Sequence, residues 1–201
     1  MGRKVFVSYK YSDAVTTREE IRKKLGNDGH FYNGEKGFVA LDKADSTIKE
    51  YLKEMIFGTS VTVVVISPLV KYSDWVDWEV RYSLRQPSRD GTTSFRNGIV
   101  CVIQNCRDCF GNENTKWAKD MNGNYRKDIF PDVIVSNLKG MFPDLRTLYI
   151  NAMVGKSNLD NKDYCVVVSE SVFKSNPSIY IEEAYNRAHN LDYEVVVNKK
   201  I

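Results

Sequence analysis

The sequence Trp75-Val-Asp-Trp-Glu79 sets two indoles and a carboxylate close together. On a helix Trp75 and Glu79, four apart, share a face, with the carboxylate about one turn beyond the indole. A carboxylate held beside indoles in a crevice loses water. Its pKa rises, and it becomes a candidate for acid-base or charge-stabilising chemistry. The same residues also suit an amphipathic helix with Trp75 in the core and Glu79 on the solvated rim. A second candidate is Cys106-x-x-Cys109, a spacing suited to redox chemistry or half of a zinc site. It has no second C-x-x-C, and His30 and His189 lie far off in sequence, so no metal is expected. With Cys101 and Cys165 these are few and unevenly placed cysteines, expected to be reduced thiols. There is no G-x-G-x-x-G, P-loop, G-x-S-x-G or H-E-x-x-H, which removes the main support for dehydrogenase, NTPase, hydrolase-elbow and zincin readings.

The elements that must position Glu79 lie on either side of it. Residues 60–66 are a mostly β-branched run, apolar on both faces, which suits the centre of a parallel sheet covered by helices. Pro68 stops it, and Ser73 or Asp74 can cap the helix that carries Trp75 and Glu79. Residues 4–9 (Lys-Val-Phe-Val-Ser-Tyr) read as a first strand with Ser8, Tyr9, Lys10, Ser12 and Asp13 at its carboxyl end. Thr16 or Thr17 with Glu19 or Glu20 offers a capping box, and Ile21 and Leu25 lead to a helix end at Gly26.

Residues 27–37 read as a polar, glycine-containing loop before a second strand at 38–41, with Asp42 at its end. Ser46 or Thr47 can cap a helix marked by Ile48, Leu52, Met55 and Ile56 and closed by Gly58. A polar loop follows Leu84, and 99–103 is a fourth buried strand. The alternation β-α-β-α-β-α-β argues an α/β fold, a doubly wound parallel sheet with helices on both faces. In such sheets ligands bind in the crevice outside the carboxyl ends of the strands.

Beyond this the signal thins. Residues 105–137 are rich in Asn, Gly and Asp and read as an insertion or long loop. An edge strand at 145–150, an apolar run at 164–168, and a helix opened by Asn176-Pro177 with Ile181, Ala184, Tyr185 and Ala188 on its buried face follow. A last short strand is expected at 194–197.

The chain has 201 residues, 42% hydrophobic and 27% charged, which suits one soluble domain with insertions. A net charge of +3 without a dense basic block gives no reason to expect nucleic acid. No apolar stretch approaches the roughly 20 residues that span a bilayer. No membrane partner and a cytoplasmic location are expected.

Three of these stretches together resemble a TIR domain, and more closely the TIR-like branch that includes the TIR proteins of bacterial Thoeris anti-phage systems. They are Val5-Phe-Val-Ser-Tyr9 with Asp13, the helix-to-strand passage 48–66, and Trp75-Val-Asp-Trp-Glu79, which is similar to the family's Trp, three residues, Glu. The resemblance covers residues 1–105. It implies a flavodoxin-like TIR fold over 1–105, with 106–201 as a C-terminal elaboration of the same domain.

It also implies cleavage of NAD, as substrate and with no cofactor, at the nicotinamide glycosidic bond. Glu79 would be the catalytic residue, and Ser8, Tyr9, Lys10, Asp13, Asp45 and Trp75 would line the substrate pocket. An ADP-ribose-derived signal acting on a separate effector protein, and a homo-oligomer formed through TIR surfaces, are further implications. Residues 27–37 depart from the family's BB loop. A non-enzymatic TIR scaffold is the alternative. A receiver-like phosphoacceptor using Asp42 ranks lower, because such a site needs an acidic pair after the first strand to hold Mg²⁺ and Ser8-Tyr9-Lys10 stands there.

Overall fold

The computed structural model describes residues 2–26, 45–89, 91–143 and 162–197. The expected loop at 27–37, the strand at 38–41 with Asp42, and the edge strand at 145–150 lie outside the described residues.

Strand β1 (Val5–Ser8) leads into helix α1 (Tyr11–Leu25). Helix α2 (Asp45–Phe57), strand β2 (Val61–Ile66), helix α3 (Asp74–Ser83) and strand β3 (Gly98–Ile103) follow. Later come a short helix α4 (Asp132–Val135), strand β4 (Val166–Ser169) and helices α5 (Glu170–Ser175) and α6 (Pro177–His189). Among the described residues the main sheet runs β1-β2-β3-β4 with every pairing parallel. β2 is interior and buried along its whole length, which is why it is apolar on both faces.

Period-two alternation divides the core. Val5, Val7, Val61, Val63, Val65, Val100, Val102, Val166 and Val168 face one layer, where Ala14 and Ile21 of α1, Phe173 of α5, and Ile181 and Ala184 of α6 cover them. Phe6 faces the other layer, with Leu52 and Ile56 of α2 and Trp78 and Tyr82 of α3. Val64, Ile66, Ile99, Cys101 and Ile103 join Val76, Val80 and Leu84 there. The same cluster takes in Ala118, Ile129, Phe130, Val133, Ile134, Leu138 and Tyr164, so the second half of the chain packs on the same sheet. β3 and α6 approach so closely that a Cβ on Gly98 would lie 2.2 Å from the Ala184 carbonyl oxygen.

Helix α1 begins five or more residues before the expected capping box, directly after β1, with the Lys10 carbonyl accepting from Ala14 N at 3.1 Å. The Ser/Thr-x-x-Glu pattern therefore sits inside the helix, and Thr17 is buried with its hydroxyl donating to Glu170 at 3.3 Å. Gly26 ends α1 at φ +57°.

Residues 105–137 contain two turns built alike. Asp108 Oδ1 accepts from Phe110 N and Asn112 N, and Asp120 Oδ1 accepts from Asn122 N and Asn124 N, all at 2.9 Å. Gly111 and Gly123 each take φ +82° within these turns. That turn chemistry explains the Asn, Gly and Asp content.

The expected strand at 194–197 is absent. Its place is taken by a side-chain clamp, with the Asn137 amide donating to Val196 O (2.8 Å) and accepting from Val196 N (2.9 Å). On α6, Ile181, Ala184 and Ala188 are buried as expected, while Tyr185 is half-buried under the Arg3 guanidinium.

Candidate functional site around Glu79

α3 forms where it does because Ser73 Oγ accepts from Val76 N (3.3 Å), and Asp74 and Asp77 sit favourably at its positive end. Its exposed flank is held by Arg81 paired with Asp77 at 2.6 Å. The burial of the Trp-x-x-x-Glu pair reverses the amphipathic reading: Trp75 is 38% exposed and Glu79 only 9%. Trp78, not Trp75, is the indole in the core.

The Glu79 carboxyl points at the end of β1, where Ser8 Oγ donates to Oε2 at 2.5 Å. Burial pushes the Glu79 pKa up from the ordinary 4.5 to about 8, and the Ser8 hydrogen bond pulls weakly the other way. At neutral pH the acid form predominates.

Beneath Glu79 lies a buried polar chain. Ser83 Oγ donates to the Glu79 carbonyl (2.8 Å) and accepts from Thr62 Oγ1 (2.8 Å). Asn97 Nδ2 donates to Thr62 Oγ1 (3.1 Å) and Thr59 Oγ1 (2.8 Å), and Thr59 donates to Ile56 O. Tyr164 OH donates to the Asn97 carbonyl at 2.7 Å. Every hydroxyl here both gives and accepts or gives to a carbonyl, so the chain fixes α3 on β2 without an orphaned donor. Asn97 lies in the stretch read as a polar loop. The one signal in the sequence was Thr62, a hydroxyl within an otherwise apolar strand.

The other residues expected around Glu79 divide. Ser8 meets it. Tyr9, one residue on, takes the opposite side of the sheet, packed against the layer of Val5, Val7 and Ile21, with its hydroxyl accepting from Arg18 at 3.1 Å. Adjacent residues leaving a strand point to opposite faces. Lys10 is the residue before α1 and is half-buried. The Asp13 carboxylate ties α1 to the loop after β2, accepting from Leu69 N at 2.9 Å, and its carbonyl accepts from Gln104 Nε2.

Trp75 stands edge-on to Trp78, ring centres 6.4 Å apart, with Lys49 Nζ 5.8 Å from its own ring centre. Asp45 is the first residue of α2, and its side chain lies outside the described residues. Cys101, Cys106, Cys109 and Cys165 are free thiols, and among the described residues no three His, Cys, Asp or Glu side chains converge as a metal site would require. Among the same residues, no helix is long and apolar enough to cross a membrane.

A parallel sheet wound with helices on both faces, and a buried acid on the helix after its second described strand aimed at the end of the first, make a flavodoxin-like α/β domain. Residues 6–105 match the family described as Thoeris protein ThsB, TIR-like domain, and over these residues the chain is TIR-like and resembles the TIR component of bacterial Thoeris systems. Among solved structures it is similar to the TIR domains in the structure of the activated Roq1 resistosome directly recognizing the pathogen effector XopQ. The identity is 16%, the TM-score 0.37, and the match covers 94% of this chain and 84% of that one.

Proposed function

We propose that the chain is an NAD-cleaving enzyme that uses Glu79 to break the nicotinamide glycosidic bond, with NAD as substrate and no cofactor. The observation that carries this reading is a glutamic acid buried at the end of β1, hydrogen-bonded by Ser8 and raised to about 8. Bond breaking sends the electron pair of the C1′–N bond to the pyridinium ring, so nicotinamide leaves neutral and needs no general acid. What remains is an oxocarbenium-like ribose, and a carboxylate aimed at it stabilises the developing charge in a site shielded from water.

The raised pKa fits this cycle. A cationic nicotinamide entering the site favours the ionised carboxylate, so binding expels the Glu79 proton and creates the charge where the transition state requires it. Ser8 then holds one carboxylate oxygen in place. Capture by water yields ADP-ribose, nicotinamide and a proton; capture by a group of the same molecule yields a cyclic product, and capture by another acceptor a conjugate. Lys10, Asp13, Asp45 and Trp75 complete the proposed substrate pocket, and Tyr9, on the opposite side of the sheet, is left out of it.

The product acts as a signal on a separate effector in antiviral defence, within the cytoplasm, and TIR surfaces bring copies of the chain together in the active form. The test is chromatography with mass spectrometry of NAD incubated with the protein and with Glu79→Gln under activating conditions. Nicotinamide release by the parent and its loss in the variant support the reading. Equal turnover by both removes Glu79 from the chemistry, and no turnover by an assembled parent favours the scaffold.

A further inference from the structure

A groove of about 390 Å³ runs between α2 and α3, on a different face of α3 from Glu79. Its lining includes Lys49, Lys53, Trp78, Tyr82, Arg85 and Arg89. The stacked rings of Trp78 and Tyr82, 5.6 Å apart and 10° from parallel, form a rigid wall. Both are buried, so they give shape and low polarity to one side while four cations supply the other.

The charges are unevenly matched. Lys53 pairs with Glu50 at 2.5 Å, and Arg89 with Glu50 at 2.7 Å and Glu54 at 3.7 Å. Lys49 and Arg85 have no acidic partner among the described residues; Lys49 rests instead near the faces of Trp75 and Trp78. Two lysines one helical turn apart therefore oppose two arginines across a concave site that keeps an excess of positive charge. Guanidinium forks with ammonium groups on a rigid wall are the donor set that holds phosphate oxygens, Arg in paired fashion and Lys as a point charge.

We propose that this groove binds a small molecule carrying a diphosphate. Its volume suits one such molecule. The Glu50 and Glu54 carboxylates on the rim oppose an extended polyanion, since a nucleic-acid strand leaving the groove would run against them. The site is separate from the Glu79 chemistry: neither Ser8 nor Glu79 lines it.

The experiment is isothermal titration of the full chain with inorganic pyrophosphate, ADP and adenosine, repeated on Lys49→Gln/Arg85→Gln and on Glu50→Gln. Because no NAD is consumed, the result does not depend on whether Glu79 cleaves NAD. Pyrophosphate and ADP should bind and adenosine should not. The double variant should bind about tenfold or more weakly with its melting temperature unchanged, and Glu50→Gln should bind more tightly, since it frees Lys53 and Arg89. A similar affinity for pyrophosphate and ADP identifies the diphosphate itself as the ligand chemistry, and a stronger affinity for ADP identifies a nucleoside diphosphate. Failure of both to bind, equal affinity in the double variant, or tighter binding of a short single-stranded oligonucleotide than of pyrophosphate would overturn the proposal.

Discussion

Residues 6–105 and the described residues after them contribute differently to one structure. The first segment holds the family match, Ser8, Glu79 and the helix that carries the acid. The second holds no recognisable motif, yet it supplies β4, the α6 cover over β3, and Phe130, Val133, Ile134, Leu138 and Tyr164 in the principal core cluster. Tyr164 even reaches under the site, through Asn97 to Thr62 and Ser83. Chemistry and the burial that makes it possible are thus separated along the sequence and joined in the fold.

The strongest way to break this comparison is deletion of 164–201. It removes β4 and α6 and uncovers the apolar face of β3, so cooperative unfolding should be lost along with activity, read by thermal melts and near-UV circular dichroism. A truncated chain that melts cooperatively would show that the first segment stands alone.

Next in size is Glu79→Gln, which should do the reverse. Turnover should fall on the order of 10²-fold to 10³-fold with nucleotide binding largely kept, because the lost interaction is made mainly in the transition state. Undiminished turnover at an unchanged melting temperature would end the catalytic assignment.

The same carboxyl predicts a pH signature. Its folded pKa, about 8, lies above the ordinary 4.5, so between those values the native state holds a proton that the unfolded chain has released. Stability from this group is full below about pH 4.5, declines as pH rises towards 8, and is flat above. Glu79→Gln removes that decline and should be the more stable protein at pH 8, on the order of a few kcal/mol, with little difference at pH 5. Paired denaturant titrations at the two pH values check this. For the parent, kcat/KM should rise with pH up to about 8.

Smaller effects sharpen the joint between the segments. Gly98→Ala drives a methyl into the α6 backbone and should cost about 1–3 kcal/mol, read from denaturant midpoints. Asn97→Ala, which removes the donors to Thr59 and Thr62, should cost about 1–3 kcal/mol and also lower turnover through the position of α3. If Asn97→Ala leaves turnover untouched, the buried chain supports the fold alone.

What the sequence showed follows from how local each signal is. The β2 run, the Ser73 cap and the Trp75–Glu79 spacing are set by neighbours in sequence, and the structure keeps them. The start of α1 differed because an apparent capping box can equally sit within a helix once β1 delivers the chain to Tyr11. Tyr9 and Ser8 were separable in principle, since strand alternation sends neighbours to opposite faces, but the motif joins them. Asn97 was not legible: its role requires Thr59, Thr62, Ser83 and Tyr164 to meet, and an Asn before Gly98 looks like a turn. The α2–α3 groove is likewise a product of two helices meeting, with Lys49, Lys53, Arg85 and Arg89 ordinary surface cations when read singly.

The close seating of Gly98 against Ala184 also has a consequence for synthesis. A ribosome adds about 5–20 residues per second, so the segment that bears Glu79 emerges well before the helix that covers it. Until residues 162–197 arrive, Ile-Val-Cys-Val-Ile of β3 is an unpaired, apolar strand edge in the nascent chain, a template for pairing with another copy. A slow or stalled translation of the second half therefore exposes the nascent chain to aggregation, and a chaperone that shields β3 during that interval would raise the yield of folded protein without touching the finished structure.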